Sequence, residues 1–551
     1  MKMNLSRKRM LPDLITSATV LCITLAGCTG SGNFEQKSIR QWETAEWLLE
    51  HPGTEGNPFD LVAEVTFTLE GGSSITTPMF YDGGSSWKFR FTGSEPGTWE
   101  FTTESEVPAL DGKKGQVAVH GNPDTRANGF ITHFGSKWGW QGSERAFVPQ
   151  YVMGKDLDYY YDLENDMVNE NLIEKDIQEF VREHGFTGFH LPVNKMWFDI
   201  TREGPFENPD IRTYRVLESI ITRVHQEGGA CFLWMWGSDG PRDHDTGSGP
   251  RGVLGAAGNE KDLRNLRYLA ARLGPLPGWS IGYGVDTENG TATVEQLDQW
   301  KNFLESHMGW DHFIGARVGY DEKGLWALVP RPPRPPSDEH FRSEISDEHT
   351  FWLGGDYIGY TSYRPLYDRY VEALNHHPEK PSFEEDRFRL RNLDKWTYKD
   401  YNPELTRRGL WHSALAGGVA NIWGHLLPDK DHGGSRSYSS GTVDIKHQIK
   451  TYSEFFGERF LKEMETFKLE DPVVLGLKTP DLEHLIFYQE QTDKVTLDLS
   501  GIPEPLSAVA VDALKEYREI DLGMLEAGTS EWEAPYKSDW AIAVGEFHPP
   551  R

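Results

Sequence analysis

The sequence predicts a multidomain protein with an N-terminal β-sandwich, a central (β/α)8 TIM barrel and a C-terminal small β-sandwich. Three observations carry this. The chain has 551 residues, more than one hydrophobic core organises. Between about residues 123 and 455, eight short apolar runs alternate with longer helical stretches. On both sides of that region the pattern is short alternating runs, split by glycine turns on the N-terminal side.

The first 28 residues read as an export signal. Lys2, Arg7, Lys8 and Arg9 give a positive start, and the apolar stretch from Leu14 to Leu25 is too short to span a bilayer comfortably. The stretch closes on Leu25-Ala26-Gly27-Cys28, which resembles a bacterial lipobox. That resemblance implies lipidation of Cys28 as the first mature residue. It implies an exported protein anchored to the cell envelope, in the outer membrane, and touching the bilayer through the lipid only. Residues 29–38, opening Thr29-Gly30-Ser31-Gly32, form a flexible tether.

The sandwich is assigned to residues 39–122. Its strands include Leu61–Leu69, Trp87–Phe91 and Trp99–Phe101, with turns at Gly71-Gly72 and Gly83-Gly84. The barrel is assigned to 123–467. Its strands are Phe147–Val152, Gly188–Val193, Ala230–Trp236, Ser280–Val285, Phe313–Val318, Tyr357–Thr361, Pro381–Glu385 and Val419–Trp423. Helices fit at Leu172–His184, Arg215–Glu227, Glu260–Leu273, Val294–Ser306, Leu366–Leu374 and Pro403–Ala416. Roughly 330 residues with eight strands match a (β/α)8 barrel with insertions. A proline-rich loop, Arg331–Pro336, crosses its surface, and a helical stretch Ile449–Phe467 leads out of it. Residues 468–551 carry further strands at Val473–Gly476, His484–Gln489, Val495–Leu499, Ala508–Val511 and Trp540–Val544.

Composition narrows the function. A net charge of −29 argues against nucleic acid, whose backbone needs clustered lysine and arginine. The three cysteines (Cys22, Cys28 and Cys231) show no metal-ligand spacing, and with Cys22 in the removed segment no disulfide framework is expected. The 19 Trp, 21 Tyr and 28 Phe fit either large β-rich cores or rings that stack on sugar faces.

In barrel enzymes chemistry forms at the C-terminal strand ends. The fourth strand runs Gly278-Trp279-Ser280-Ile281-Gly282-Tyr283-Gly284-Val285 into Asp286, with Glu288 two residues on. Its glycines let a backbone or ligand come close; Asp286 or Thr287 could equally cap a helix. The seventh strand reads Pro381-Ser382-Phe383-Glu384-Glu385-Asp386-Arg387-Phe388-Arg389. Three acids there repel unless paired, and Arg387 or Arg389 could hold one ionised and aimed. A surface ion-pair cluster is the alternative. Together the two strand ends offer the carboxylate pair that glycosidic hydrolysis uses, about 5–5.5 Å apart in retaining enzymes. Two-carboxylate hydrolysis needs no metal or cofactor. Other strand ends offer groups for sugar recognition: His190 and Asn194, with Trp197 nearby; Trp234, Trp236 and Asp239; Arg317; Tyr360 and Tyr363; Trp423 and His425.

At these residues the sequence resembles glycoside hydrolase clan A. The stretch Leu273–Trp279, the run Glu385-Asp386-Arg387-Phe388-Arg389 and the N-terminal sandwich resemble bacterial proteins with a DUF5060 domain before the barrel. The closing Ser538-Asp539-Trp540-Ala541-Ile542-Ala543-Val544 is similar to the domain that follows DUF4038 barrels, a group including apiosidase-like hydrolases. The resemblance implies that Glu385 is the nucleophile, that Asp286 is the acid/base, and that Trp423 forms the platform under the reacting sugar. The clan's Asn-Glu pair is replaced by Val285-Asp286-Thr287-Glu288, so Glu288 rivals Asp286, and Glu384 rivals Glu385.

The resulting expectation is a retaining glycoside hydrolase acting on a polysaccharide or its oligosaccharides, from plants or marine algae. The alternative is a non-catalytic glycan-binding surface lipoprotein, prompted by the missing Asn-Glu pair. A polysaccharide lyase with a Tyr or His base is a third reading.

Overall fold

The structure is a computed structural model that describes residues 34, 36–53, 56–124, 127–236, 260–284, 294–317, 352–360, 367–388, 403–428 and 445–547, without the side chains of 294, 376, 386–388 and 425–428. Cys28, Asp239, Asp286, Glu288, Tyr363 and Arg389 lie outside the described residues.

The chain opens on two facing sheets. One holds, in order, Lys37–Arg40, Lys114–His120, Gly97–Ser105, Ala63–Leu69 and Ser74–Pro78; the other holds Thr44–Glu50, Ser86–Thr92 and Phe80–Tyr81. Alternation along Ala63–Leu69 buries Val65 and Phe67 and leaves Thr66 and Thr68 outside. The buried faces meet in an aromatic core of Trp47, Phe67, Phe89, Phe91, Trp99 and Phe101.

The central domain is an eight-stranded parallel barrel. Its strands are β1 (Gln150–Met153), β2 (Gly188–Pro192), β3 (Cys231–Trp236), β4 (Trp279–Gly284), β5 (Phe313–Gly315), β6 (Ile358–Tyr360), β7 (Ser382–Phe388) and β8 (Ala420–Pro428). They pair in the order β5-β4-β3-β2-β1-β8-β7-β6, and a parallel bridge from Arg317 to Gly359 closes the ring between β5 and β6. Each strand begins within four residues of its expected start; Val285 and Val318 lie beyond the described residues. The helices are α1 (Glu170–Asp176, continuing as a π-type turn to Glu183), α2 (Ile211–Gln226), α3 (Glu260–Leu273), α4 (Val294–Met308), α5 (Tyr367–His376), α6 (Pro403–Leu415) and α7 (Lys446–Phe456). Side-chain caps start two of them: Asn169 accepts from Leu172 N, and Asp210 from Arg212 N.

Strand alternation splits the barrel residues into two sets. One set packs inside: Tyr151, Met153, Phe232, Trp234, Phe313, Tyr357, Phe383, Ala420 and Ile422. The other packs against the helices, including Val152, Leu191, Leu233, Ile281, Ile358, Tyr360 and Trp423. The N-terminal mouth is plugged by a three-stranded sheet, Ile131–Phe134, Lys137–Trp140 and Ala146–Phe147. Its Trp138 enters the barrel, where the indole donates to Ser382 O at 3.2 Å and the ring meets Phe313, Tyr357 and Phe383.

A buried ionic cluster joins sandwich to barrel. Glu218 of α2 takes Arg272 of α3 and Arg90 of the sandwich, and Arg272 also reaches Asp82 at 3.0 Å. Burial would raise the Glu218 carboxyl, but Arg272 and then Arg90 outweigh it and hold it at about 2.

The helical stretch expected over Ile449–Phe467 is shorter than the sequence suggests. α7 stops at Phe456, Gly457 follows, and Glu465–Glu470 is a strand antiparallel to Val473–Lys478. Glycine weakens the helix, and the edge strand gains a ladder partner that a longer helix would forfeit. Six strands make the C-terminal sheet, the added ones being Glu465–Glu470 and Ile520–Leu525. The expected strands His484–Gln489 and Val495–Leu499 form one long strand, Leu485–Asp498, with register breaks between Gln489 and Lys494. Both of its halves feed one core with Trp540 and Ile542.

Candidate active site

Glu385 stands at the centre of the site. Phe383, two residues before it, packs inside the barrel, so the pleat turns Glu385 inward and Glu384 outward. Both are wholly buried. The Trp234 indole of β3 donates to Glu385 Oε2 at 3.0 Å. The guanidinium of Arg317, itself only 2% exposed, reaches the Glu385 carbonyl oxygen at 3.4 Å. The His190 ring meets Trp234 edge-on at 4.1 Å.

Two glycines make the room. A Cβ on Gly282 would stand 3.1 Å from Glu385 Oε2, and one on Gly359 would stand 2.4 Å from Oε1. From below, the phenol of Tyr357 faces the carboxylate. Burial first, and the Glu385 charge second, push that phenol well above its ordinary value, so it stays a neutral donor. The site is therefore a buried carboxylate with an indole donating to it, a neutral phenol close by and a guanidinium on its backbone carbonyl. A carboxylate held this way is oriented for attack on an electrophilic carbon.

The expected residues divide as follows. The structure brings Glu385, Trp234, His190 and Arg317 together. Asn194 and Trp236 stand at the C-terminal ends of β2 and β3, Asn194 opening a short turn at φ +52°. Glu384 is not part of the site. It lies beside Tyr360 and Asn421 in register, and its charge acts on Tyr360 and on Tyr370 of α5, both raised first by burial.

Tyr360 and Trp423 are corrected. Tyr360 packs with the helical layer. Trp423 is buried on the same outer side, its indole donating to Gln150 Oε1 at 2.6 Å, and is no platform for a sugar inside the barrel. The cause is the pleat: the inward neighbours of Trp423 are Ala420 and Ile422. The backbone of His425 pairs with Met153. The side chains of His425 and Arg387 and all of Asp286 and Glu288 lie outside the described residues. Tyr357 was missed, although it begins the run Tyr357–Thr361; Gly359, facing Glu385 from the next strand, was the available signal. Among the described residues no group of three His, Cys, Asp or Glu side chains could hold a metal ion.

Fold and site together define a (β/α)8 barrel with an oriented carboxylate on its seventh strand. Residues 38–106 match the family model DUF5060, a domain of unknown function. The whole fold is similar to the crystal structure of a candidate glycoside hydrolase from Bacteroides vulgatus ATCC 8482, with a TM-score of 0.65 and 14% identity, covering 92% of this chain and 100% of that one. It is also similar to a glycoside hydrolase family 5 protein from the same organism, with a TM-score of 0.52 and 14% identity, covering 76% of this chain and 94% of that one. No curated protein sequence matches.

Proposed function

We propose that this protein is a retaining glycoside hydrolase acting on a polysaccharide or its oligosaccharides. The observation that carries the reading is Glu385, a wholly buried carboxylate on the seventh strand, held by the Trp234 indole and flanked by Arg317. The likeness in fold to proteins described as glycoside hydrolases supports it.

In this reading Glu385 attacks the anomeric carbon, and the bond to the leaving oxygen breaks as Asp286, or Glu288, protonates it. The same acid, now a base, takes a proton from water, whose oxygen displaces Glu385 from the anomeric carbon. Trp234 on the carboxylate and Arg317 on the backbone carbonyl keep Glu385 oriented. The protein acts outside the cytoplasm, anchored through a lipid on Cys28.

The test is hydrolysis of a polysaccharide panel by the mature protein, with the first product's anomeric configuration read by NMR. The expected result is retention, abolished in Glu385→Gln. Inversion, or undiminished turnover by Glu385→Gln, overturns the mechanism. Metabolic labelling with a clickable palmitate, lost in Cys28→Ser, tests the anchor.

A further inference from the structure

Two polar atoms at the barrel mouth are buried with no hydrogen-bond partner among the described residues: the side-chain oxygen of Asn194 and the indole N–H of Trp236. Buried polar groups are overwhelmingly bonded, so two such atoms at neighbouring strand ends point to something that bonds them in use.

The pair shares one corner. Val193 N donates to Trp234 O at 3.2 Å, and the Trp197 indole donates to Met235 O at 2.8 Å. These bonds seat the turn Asn194–Trp197 on the end of β3, with Asn194 and Trp236 on either side of the seat. Trp236 stands opposite Gly284 in register, and a Cβ on Gly284 would come within 3.2 Å of Trp236 Cβ. Two residues earlier on the same face, a Cβ on Gly282 would meet Glu385 Oε2. The Cβ of Trp236 therefore leaves the strand on the Glu385 side, one step further up, and its ring packs in the cluster that holds Met196 and Trp197.

Chemistry narrows the occupant. One atom accepts and the other donates, and a hydroxyl does both. A carboxylate or sulfate would satisfy the indole but face the Asn194 oxygen without a proton to give. We propose that Asn194 and Trp236 read a free hydroxyl on the sugar unit next to Glu385, with Asn194 accepting and Trp236 donating, so that this unit is neutral at that position. The inference rests on the glycosidase reading and deepens it.

Asn194→Gly and Trp236→Phe test it in the full-length mature protein. Glycine relaxes the positive φ at position 194, so this variant keeps or raises the melting temperature while losing the acceptor. Phenylalanine keeps an aromatic ring and loses the N–H. The probes are arabinogalactan, xylan, polygalacturonate and ulvan, followed by cleavage rate and by retardation in affinity gels. The expected result is that a neutral glycan is cleaved, with kcat/KM falling about tenfold or more in each variant. Wild-type kcat/KM in both variants overturns the inference and spares the glycosidase reading. Retardation of wild type without cleavage, lost in Asn194→Gly, upholds the hydroxyl contact while the hydrolase reading fails. Neither cleavage nor retardation overturns both.

Discussion

Trp234 and Glu385 hold each other across the barrel: the indole of β3 donates to the carboxylate of β7 at 3.0 Å, from strands four places apart in the ring. A wholly buried carboxylate needs such donors, and hydrogen bonds to charged groups contribute about 1.5–3 kcal/mol. Trp234→Phe keeps a ring against His190 and removes the N–H. We expect kcat on the glycan that wild type cleaves to fall about 10- to 100-fold, with a near wild-type far-UV spectrum. Unchanged kcat means that the indole does not hold the carboxylate in the reacting enzyme.

The space around Glu385 is as specific as its donors. Gly359→Ala would place a methyl 2.4 Å from Glu385 Oε1 and 2.6 Å from the backbone oxygen of Ala316, which cannot yield. Overpacking of this kind costs about 1–3 kcal/mol, and here it also displaces the carboxylate. We expect Gly359→Ala to lose most activity and unfold at lower denaturant. Gly121→Ala, where a Cβ meets nothing within 4 Å, serves as the control and should match wild type. Full activity in Gly359→Ala means that the carboxylate is not where catalysis needs it.

The eight strands were legible because parallel strands covered on both faces read as short apolar runs, and glycine and proline punctuate their ends. The same burial hid their facing. With apolar residues on both sides there is no alternation to read, so Trp423 and Trp234 look equivalent in sequence, though one faces the helices and the other faces Glu385. Glu384 and Glu385 posed the same ambiguity, which only the inward packing of Phe383 resolves. Tyr357 is a site residue only through the pairing of its strand with the next one, for which Gly359 opposite Phe383 is the sole local sign. The Glu218 cluster was illegible because its partners are 54 and 128 residues distant.

Glu218 couples the sandwich to the barrel, and its effect has a definite pH window. Its folded value of about 2 lies below the ordinary 4.5, so the folded state holds fewer protons between those values. The stabilisation is fully present above about pH 4.5 and disappears as pH falls towards 2, amounting to about 3 kcal/mol. Glu218→Gln removes the charge between Arg90 and Arg272 and leaves Arg90 to Glu46 and Arg272 to Asp82, at a cost of about 3 kcal/mol near neutrality. Chemical denaturation at pH 7 should show that loss, and the variant's stability should vary less between pH 4.5 and 2. A variant as stable as wild type would mean that the cluster contributes nothing to the joint.

His312 sets an earlier acid step with the opposite chemistry. It is 4% exposed, its Nε2 lies 2.7 Å from Gly274 O, and its ring stacks on Trp279 at 4.2 Å. Burial pushes it down to about 4 from 6.5, so the fold keeps the ring neutral. Between those values the unfolded chain binds a proton that the fold refuses. Stability therefore falls as pH drops from about 6.5 to 4, by up to about 3 kcal/mol from this ring alone. His312→Gln retains a donor for Gly274 O and cannot titrate. Thermal melts of the two proteins across that range should show the wild type losing stability faster, the curves running parallel above pH 7. Parallel curves across the whole range would show that His312 takes up its proton in the folded state as readily as in the unfolded one.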